Sequence, residues 1–244
     1  MVYQLSIPCA GPYAGAGRAA RPAAAGRGRV CPVSGESRLE EAVNCLTHGF
    51  GLLLSIGGLA LLVALAAVYG NRWHVIGCSV YSVTLVMSYA ASTLYHGCSS
   101  LTQKRAFRQI DHAFVYLLIA GTYTPFTLVT LHGGWGWSLF AIVWGIAIAA
   151  IGVKLVFISR FNQASVPVYL SLGWLSVIAI VPLLERLPVS GVMWLVAGGV
   201  AYTIGAVFLV RKPLPFSHGL WHLAVLAGSG CHYLAIVLYV IPRG

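Results

Sequence analysis

His218 and His222 stand four residues apart, the spacing at which two imidazoles project from one face of a helix and can share a tetrahedral zinc ion. Ser92 and His96 repeat that spacing, Asp111 and His112 are adjacent, and Glu41, Asn44 and His48 fall along one helical stripe. A third imidazole, contributed by His96 from another helix, would leave the fourth coordination position open, the pattern of catalytic rather than structural zinc. Asp111 would then serve as general base toward the bound water, or orient a ligand imidazole.

Each of these residues also has a plainer reading. Two histidines four apart arise often by chance. A histidine near a helix end can cap it or sit among lipid head groups, and that is the reading preferred for His74 and His132. Ser92 can bond the carbonyl of the preceding turn. Asp111 can be a charge favoured by the dipole at a helix N-terminus, with His112 facing away from it. His232 lies 14 residues beyond His218, roughly 21 Å along a helix axis. It is too far to share an ion with that pair and reads as a packed or hydrogen-bonding residue.

What must position these groups is a set of membrane-spanning helices. The sequence is 59% hydrophobic and 8% charged, against about 25% charged in a typical soluble domain. The apolar residues come in runs long enough to cross a hydrocarbon core of about 30 Å as helices. Seven runs are expected, at 43–69, 74–97, 110–131, 136–158, 166–184, 189–210 and 218–241. Between them lie turn residues and charges: Gly70-Asn71-Arg72, the segment around Lys104-Arg105, His132-Gly133-Gly134, Arg160-Phe161-Asn162, Glu185-Arg186-Leu187-Pro188 and Arg211-Lys212-Pro213. The fold class is therefore all-α, an integral membrane bundle of seven helices over residues 39–244.

Residues 1–38 differ from the rest. Ala, Gly, Arg and Pro dominate, Glu36 is the only acid, and no apolar periodicity is present, which predicts a disordered tail. Its composition resembles a transit peptide, but the plainer reading is translated GC-rich sequence upstream of a start codon. A secretory signal is disfavoured because no apolar stretch follows the arginines before residue 43.

The formal charge of +10 does not point to nucleic acid, because no basic stripe is interleaved with aromatic residues. It reads instead as topology and contact with anionic phospholipid. With the N-terminus in the cytoplasm, the inner side holds twelve Lys and Arg residues: Arg18, Arg21, Arg27, Arg29, Arg38, Lys104, Arg105, Arg108, Lys154, Arg160, Arg211 and Lys212. The outer side holds only Arg72, Arg186 and Arg243, and the C-terminus is outside. The six cysteines, Cys9, Cys31, Cys45, Cys78, Cys98 and Cys231, form no C-x-x-C pair, and no disulfide framework is expected.

On this topology the polar clusters of four different runs fall at one membrane depth, near the inner end. Ionisable groups within spans are rare and usually functional, and nothing in the assignment of the spans required them to align.

At these residues the sequence resembles a known family. Ser92-Thr93-Leu94-Tyr95-His96, Ile110-Asp111-His112, Ala120-Gly121-Thr122-Tyr123-Thr124-Pro125-Phe126 and His218-Gly219-Leu220-Trp221-His222, in that order, resemble the hemolysin III family. That family is the bacterial branch of the progestin and adipoQ receptor group, related to adiponectin receptors and alkaline ceramidases. The likeness runs from about residue 38 to the C-terminus. It implies a multi-pass protein of the bacterial inner membrane with a cytoplasm-facing zinc. It further implies that His96, His218 and His222 are the ligands, that Asp111 contacts the water on the zinc with Ser92 beside it, and that Glu41, Asn44 and His48 lie near the same cavity.

Three function classes follow. The first is a zinc-dependent hydrolase of a membrane lipid amide or ester: zinc activates the water and polarises the carbonyl, Asp111 accepts the proton, and Ser92 donates to the oxyanion. Ceramide-like amides come from the resemblance alone. The second is a lipid sensor in which zinc pins helices two, three and seven. The third, a pore or cytolysin as the family name suggests, is disfavoured because no run carries a polar stripe through its full length.

Overall fold

The computed structural model describes residues 30–156, 165–210 and 214–242. Most of the expected tail, and the turns expected at Arg160-Phe161-Asn162 and Arg211-Lys212-Pro213, lie outside these residues. Among the described residues there is no strand, and seven helices are long and apolar enough to span a membrane. Helix one is Arg38–Tyr69, helix two Arg72–Gly97, helix three Leu101–Thr130, helix four Gly133–Val156, helix five Val166–Arg186, helix six Val189–Val210 and helix seven Ser217–Val240. Large apolar side chains such as Leu46, Phe50, Leu53 and Leu54 of helix one face outward, as lipid-facing positions should. The protein is a multi-pass integral membrane bundle.

The helix boundaries follow local chemistry. Ser37 and Glu40 form a reciprocal capping box at the start of helix one, and Asn71 and His74 form another at the start of helix two. Helix three begins at Leu101, nine residues before the expected run. Its charged first turns are helical even though they are not apolar. Pro125 lies inside helix three, where it has no amide hydrogen to give the Gly121 carbonyl, and is followed by a π-helical turn at Phe126–Thr130. Helix five is not uniform: α-helix at Ser165–Gly173, 3₁₀-helix at Trp174–Ala179, then α-helix at Ile180–Arg186. Pro182 cannot bond back to Ile178, which explains the break. The Tyr123 hydroxyl braces it, accepting from the Ser176 amide at 2.8 Å and donating to the carbonyls around Leu172 and Gly173.

Helices one, two and three pack in sequence, six pairs with seven, and seven returns to helix one. Between lipid-soluble helices, association rests on close van der Waals packing and interhelical hydrogen bonds, the latter about 0.6 kcal/mol each on average. Both are visible. At Gly51 an added Cβ would lie 2.7 Å from Leu226 Cδ2 and 2.8 Å from Tyr89 Cε1, so glycine permits the meeting of helices one, two and seven. Deeper in the bundle, Tyr89 and Tyr202 both bond Ser229 Oγ at 3.0 Å, and Tyr81 donates to the Ser229 carbonyl at 3.2 Å. Helices two, six and seven are tied at one residue. Cys31, Cys45, Cys78, Cys98 and Cys231 are free thiols, as the lack of paired spacing predicts.

Candidate metal centre and its cavity

The start of helix seven meets the end of helix two and the start of helix one. Phe216 precedes helix seven with φ of 56°, a left-handed conformation that costs a non-glycine residue some strain. Its amide donates to Glu40 Oε1 at 3.1 Å, so the same carboxylate that closes the cap of helix one also fixes the entry to helix seven. Two residues later comes His218, and one turn on comes His222.

His96, His218 and His222 converge. One potential ligand nitrogen from each lies within 4.8 Å of the others, and the ring centroids are 4.6 to 5.0 Å apart. In tetrahedral zinc with bonds of 2.0–2.1 Å, ligand nitrogens sit about 3.4 Å apart, so side-chain adjustments of about an ångström would complete the geometry. These are the three imidazoles that the spacing and the resemblance pointed to, and they lie close enough together to hold one ion.

The far sides of two of these rings are fixed by the protein. His96 Nδ1 bonds Glu41 Oε2 at 2.7 Å, and its Nε2 is buried with no hydrogen-bond partner. His222 Nδ1 lies 3.2 Å from the Asn44 carbonyl and 3.3 Å from Thr47 Oγ1. A carbonyl can only accept, so Nδ1 carries the proton and Nε2 keeps its lone pair. Such bonds behind a ligand imidazole set its tautomer and raise its basicity. An orphaned buried nitrogen is otherwise costly, and a metal ion is the partner that fits one aimed at two further imidazoles. The residues present therefore suit a zinc-like ion.

Two features of this arrangement were not apparent in the sequence. Glu41, grouped only as a residue near the cavity, is the carboxylate behind His96, a role that had been considered for Asp111. Lys104, counted as a loop charge, is buried: its Nζ reaches Glu41 Oε2 at 3.0 Å, the Tyr95 carbonyl at 2.9 Å and the His96 carbonyl at 3.3 Å. It closes the C-terminal end of helix two and compensates Glu41 at once. The faint signal was its offset of eight residues from His96 across one short turn. Ser34 Oγ also donates to Glu41, and Arg108 holds the Val33 carbonyl at 3.0 Å, so residues 30–37 lie against this end of the bundle.

Beside the histidines a cleft opens, enclosing about 1140 Å³, part of it open to the outside. Ser92, Asp111, His218 and His222 line its polar end, while Val115, Leu118, Leu209 and Val225 are among its apolar walls. Ser92 Oγ is buried and has no hydrogen-bond partner of ordinary length, although it lies near enough to the Asp111 carboxyl to interact with it, as does His96. His112 was expected to face away from Asp111; it lines the same cavity. Successive helical side chains point about 100° apart, and this opening is wide enough for both to border it. His48 stacks on His222 with ring centroids 3.5 Å apart, both of its nitrogens unpartnered, and Asn44 is fully buried beside it. The stripe of helix one thus does border the site. His74 is a capping residue, bonded to Asn71 through Nδ1, and His132 bonds Arg186.

Comparison with known proteins gives the family of the chain. A family model described as haemolysin-III related matches residues 37–233. The chain is 44% identical over 203 residues to hemolysin-3 of Bacillus cereus, covering 83% of this chain and 93% of that one. It is 41% identical over 202 residues to a hemolysin-3 homolog of Bacillus subtilis (strain 168), covering 83% and 95%. More distantly, it is 28% identical over 211 residues to the human monocyte to macrophage differentiation factor, covering 82% and 84%. With most of its length matched by that family model, this chain belongs to the haemolysin-III related family.

Proposed function

We propose that the protein is a zinc-dependent hydrolase of a membrane lipid amide or ester. The observation that carries this reading is the meeting of three imidazoles, a carboxyl and a buried hydroxyl at the polar end of an otherwise apolar cleft. A zinc ion held by His96, His218 and His222 would supply Lewis acidity toward the scissile carbonyl and an activated water. The remaining work falls to the chain. Asp111 takes the proton, since its carboxyl faces the cavity beside the ligand set. Ser92 donates to the oxygen on which charge develops. Glu41 and Lys104 hold His96 in place, and the apolar walls hold the acyl chain and keep bulk water out.

The histidine end is read as the cytoplasmic end. Arg38, Lys104, Arg105, Arg108 and Lys154 belong to that end of their helices, and Arg72 and Arg186 to the other, the bias expected of a cytoplasmic face. Substrate would enter from the inner leaflet, with ceramide-like amides the first class to try.

The test compares purified wild type, Asp111→Asn and Ser92→Ala for zinc content and for fatty-acid release from ceramides and phospholipids. All three should retain zinc. Hydrolysis should fall by about two to four orders of magnitude in Asp111→Asn and by roughly two orders in Ser92→Ala. Zinc-loaded wild type that hydrolyses neither class would overturn the enzyme reading and leave a lipid sensor in which the ion pins helices two and seven. Ion flux through proteoliposomes would instead favour a pore.

A further inference from the structure

The cavity does not end at its apolar walls. A second chamber of about 720 Å³ lies further along the bundle, lined by Phe126, Leu139, Ile180, Leu183 and Leu195. Thr122, Tyr123, Gly173, Trp174, Gly199 and His232 line both chambers, so the two are direct neighbours. His232 stands at the junction, ten residues beyond His222 and therefore roughly 15 Å from it along helix seven. An imidazole at that depth needs a reason to be there.

Its pose is tightly defined. Nδ1 lies 2.8 Å from the Gly228 carbonyl, which fixes the proton on Nδ1 and leaves Nε2 as a bare acceptor. Tyr202 stacks on one face, with centroids 5.5 Å apart and planes at 18°. Gly198 backs one edge so closely that an added Cβ would lie 2.3 Å from Cε1. Among the described residues nothing donates to Nε2. The neighbouring hydroxyls are engaged elsewhere: Thr122 with the Leu118 carbonyl, Tyr202 with Ser229, and Tyr123 with helix five. One hydrogen-bond acceptor is left without a protein donor, on a residue that lines both chambers.

We infer that His232 reads a hydroxyl carried partway along the acyl chain of a bound lipid. The head group lies among His96, His218 and His222, the hydroxyl donates to His232 Nε2 roughly 15 Å further on, and the chain beyond it fills the second chamber. A plain chain leaves Nε2 unsatisfied, a cost that a site built to bond a hydroxyl turns into selectivity. The placement of the head group rests on the function proposed above; the selectivity does not depend on hydrolysis.

Direct binding of two probes to purified full-length protein tests this: octadecanoic acid and 12-hydroxyoctadecanoic acid. Wild type should bind the hydroxylated acid about tenfold more tightly. His232→Phe, which keeps the ring and removes the acceptor, should lose that preference by weakening the hydroxylated acid alone. His232→Gln, which restores an acceptor, should recover part of it. Equal binding of both acids by wild type, binding of neither, or an undiminished preference in His232→Phe would overturn the inference. A protein that shows the preference and hydrolyses nothing would sink the hydrolase and leave this site standing.

Discussion

The two ends of the bundle use histidine in opposite ways. At one end, His74 completes the cap of helix two with Asn71, at 3.0 and 3.1 Å, and His132 meets Arg186 at 3.1 Å beside the turn that joins helices three and four. At the other end, His96 and His222 use only Nδ1 for the protein, and the remaining nitrogens turn toward one another and toward His218. Spacing does not separate these cases, because His74 also sits near a helix end in a polar turn. What separates them is whether the local backbone consumes the ring's donors and acceptors. Where it does, the histidine is part of the scaffold. Where it does not, desolvated lone pairs gathered at one point are unfavourable until something binds them.

The sharpest way to break that comparison is to delete ligands at each end and measure metal. His96→Ala and His218→Ala should each abolish stoichiometric zinc in freshly purified protein, while His74→Gln and His132→Gln should leave it unchanged. If the second pair loses metal as readily as the first, the distinction fails. If wild type holds no metal and takes up none on titration, the cluster is not a metal site.

One step back from the ligands, Glu41→Gln should weaken zinc binding by about 10–100-fold, the usual cost of losing the partner behind a ligand imidazole. The amide cannot hold His96 with the same charge, and Lys104 loses its counter-charge. Competition with a graded series of chelators reads this directly. Unchanged affinity would mean that Glu41 serves only to compensate Lys104.

A smaller effect is expected at the scaffold end. Asn71→Ala removes an acceptor for the Trp73 and His74 amides, which lie 2.9 and 3.4 Å from Asn71 Oδ1. It should cost about 1 kcal/mol of stability, seen as a lower unfolding midpoint in detergent, with zinc affinity unaltered. A matching loss of zinc would show that the two ends are coupled through helix two.

These contrasts explain what the sequence could and could not convey. The seven spans were legible because hydropathy reports immersion in lipid, and the start of helix three was missed for the same reason: Thr102, Gln103, Lys104 and Arg105 are helical without being immersed. The histidine cluster was legible because His218 and His222 are locked in register by one helix. Lys104 was not, since a lysine in a short polar segment looks the same whether it faces water or folds back onto the end of the preceding helix. The opening beside Asp111 and His112 was hidden as well. It is lined by residues of helices three, five, six and seven, Trp174 of the 3₁₀ segment among them, and a sequence pattern specifies helix faces better than the gaps between helices. His232 reads from the sequence as a packed or hydrogen-bonding residue, and it bonds the Gly228 carbonyl; that it lines two neighbouring chambers is a fact about the space around it.

The last contrast between the ends concerns pH. Residues 30–37 lie against the histidine end through Ser34, which donates to Glu41, and Val33, held by Arg108. Within this strap Glu36 is half-buried, and desolvation, reinforced by the negative charges of Glu40 and Glu41, raises its pKa from 4.5 to about 7. A carboxyl whose folded pKa exceeds its unfolded one favours the folded strap while protonated. That contribution is complete below about 4.5 and is lost as pH climbs through about 7. Amide exchange across residues 31–37 should therefore be better protected at pH 6 than at pH 8, after correction for intrinsic exchange rates. Glu36→Gln should make protection nearly independent of pH over that interval, and the turn around Asn71 should show no comparable change in either protein. Equal loss of protection at both ends would trace the effect to the bundle as a whole. Loss confined to the strap and abolished in Glu36→Gln would mean that the cover over the histidine end loosens as this one carboxyl ionises.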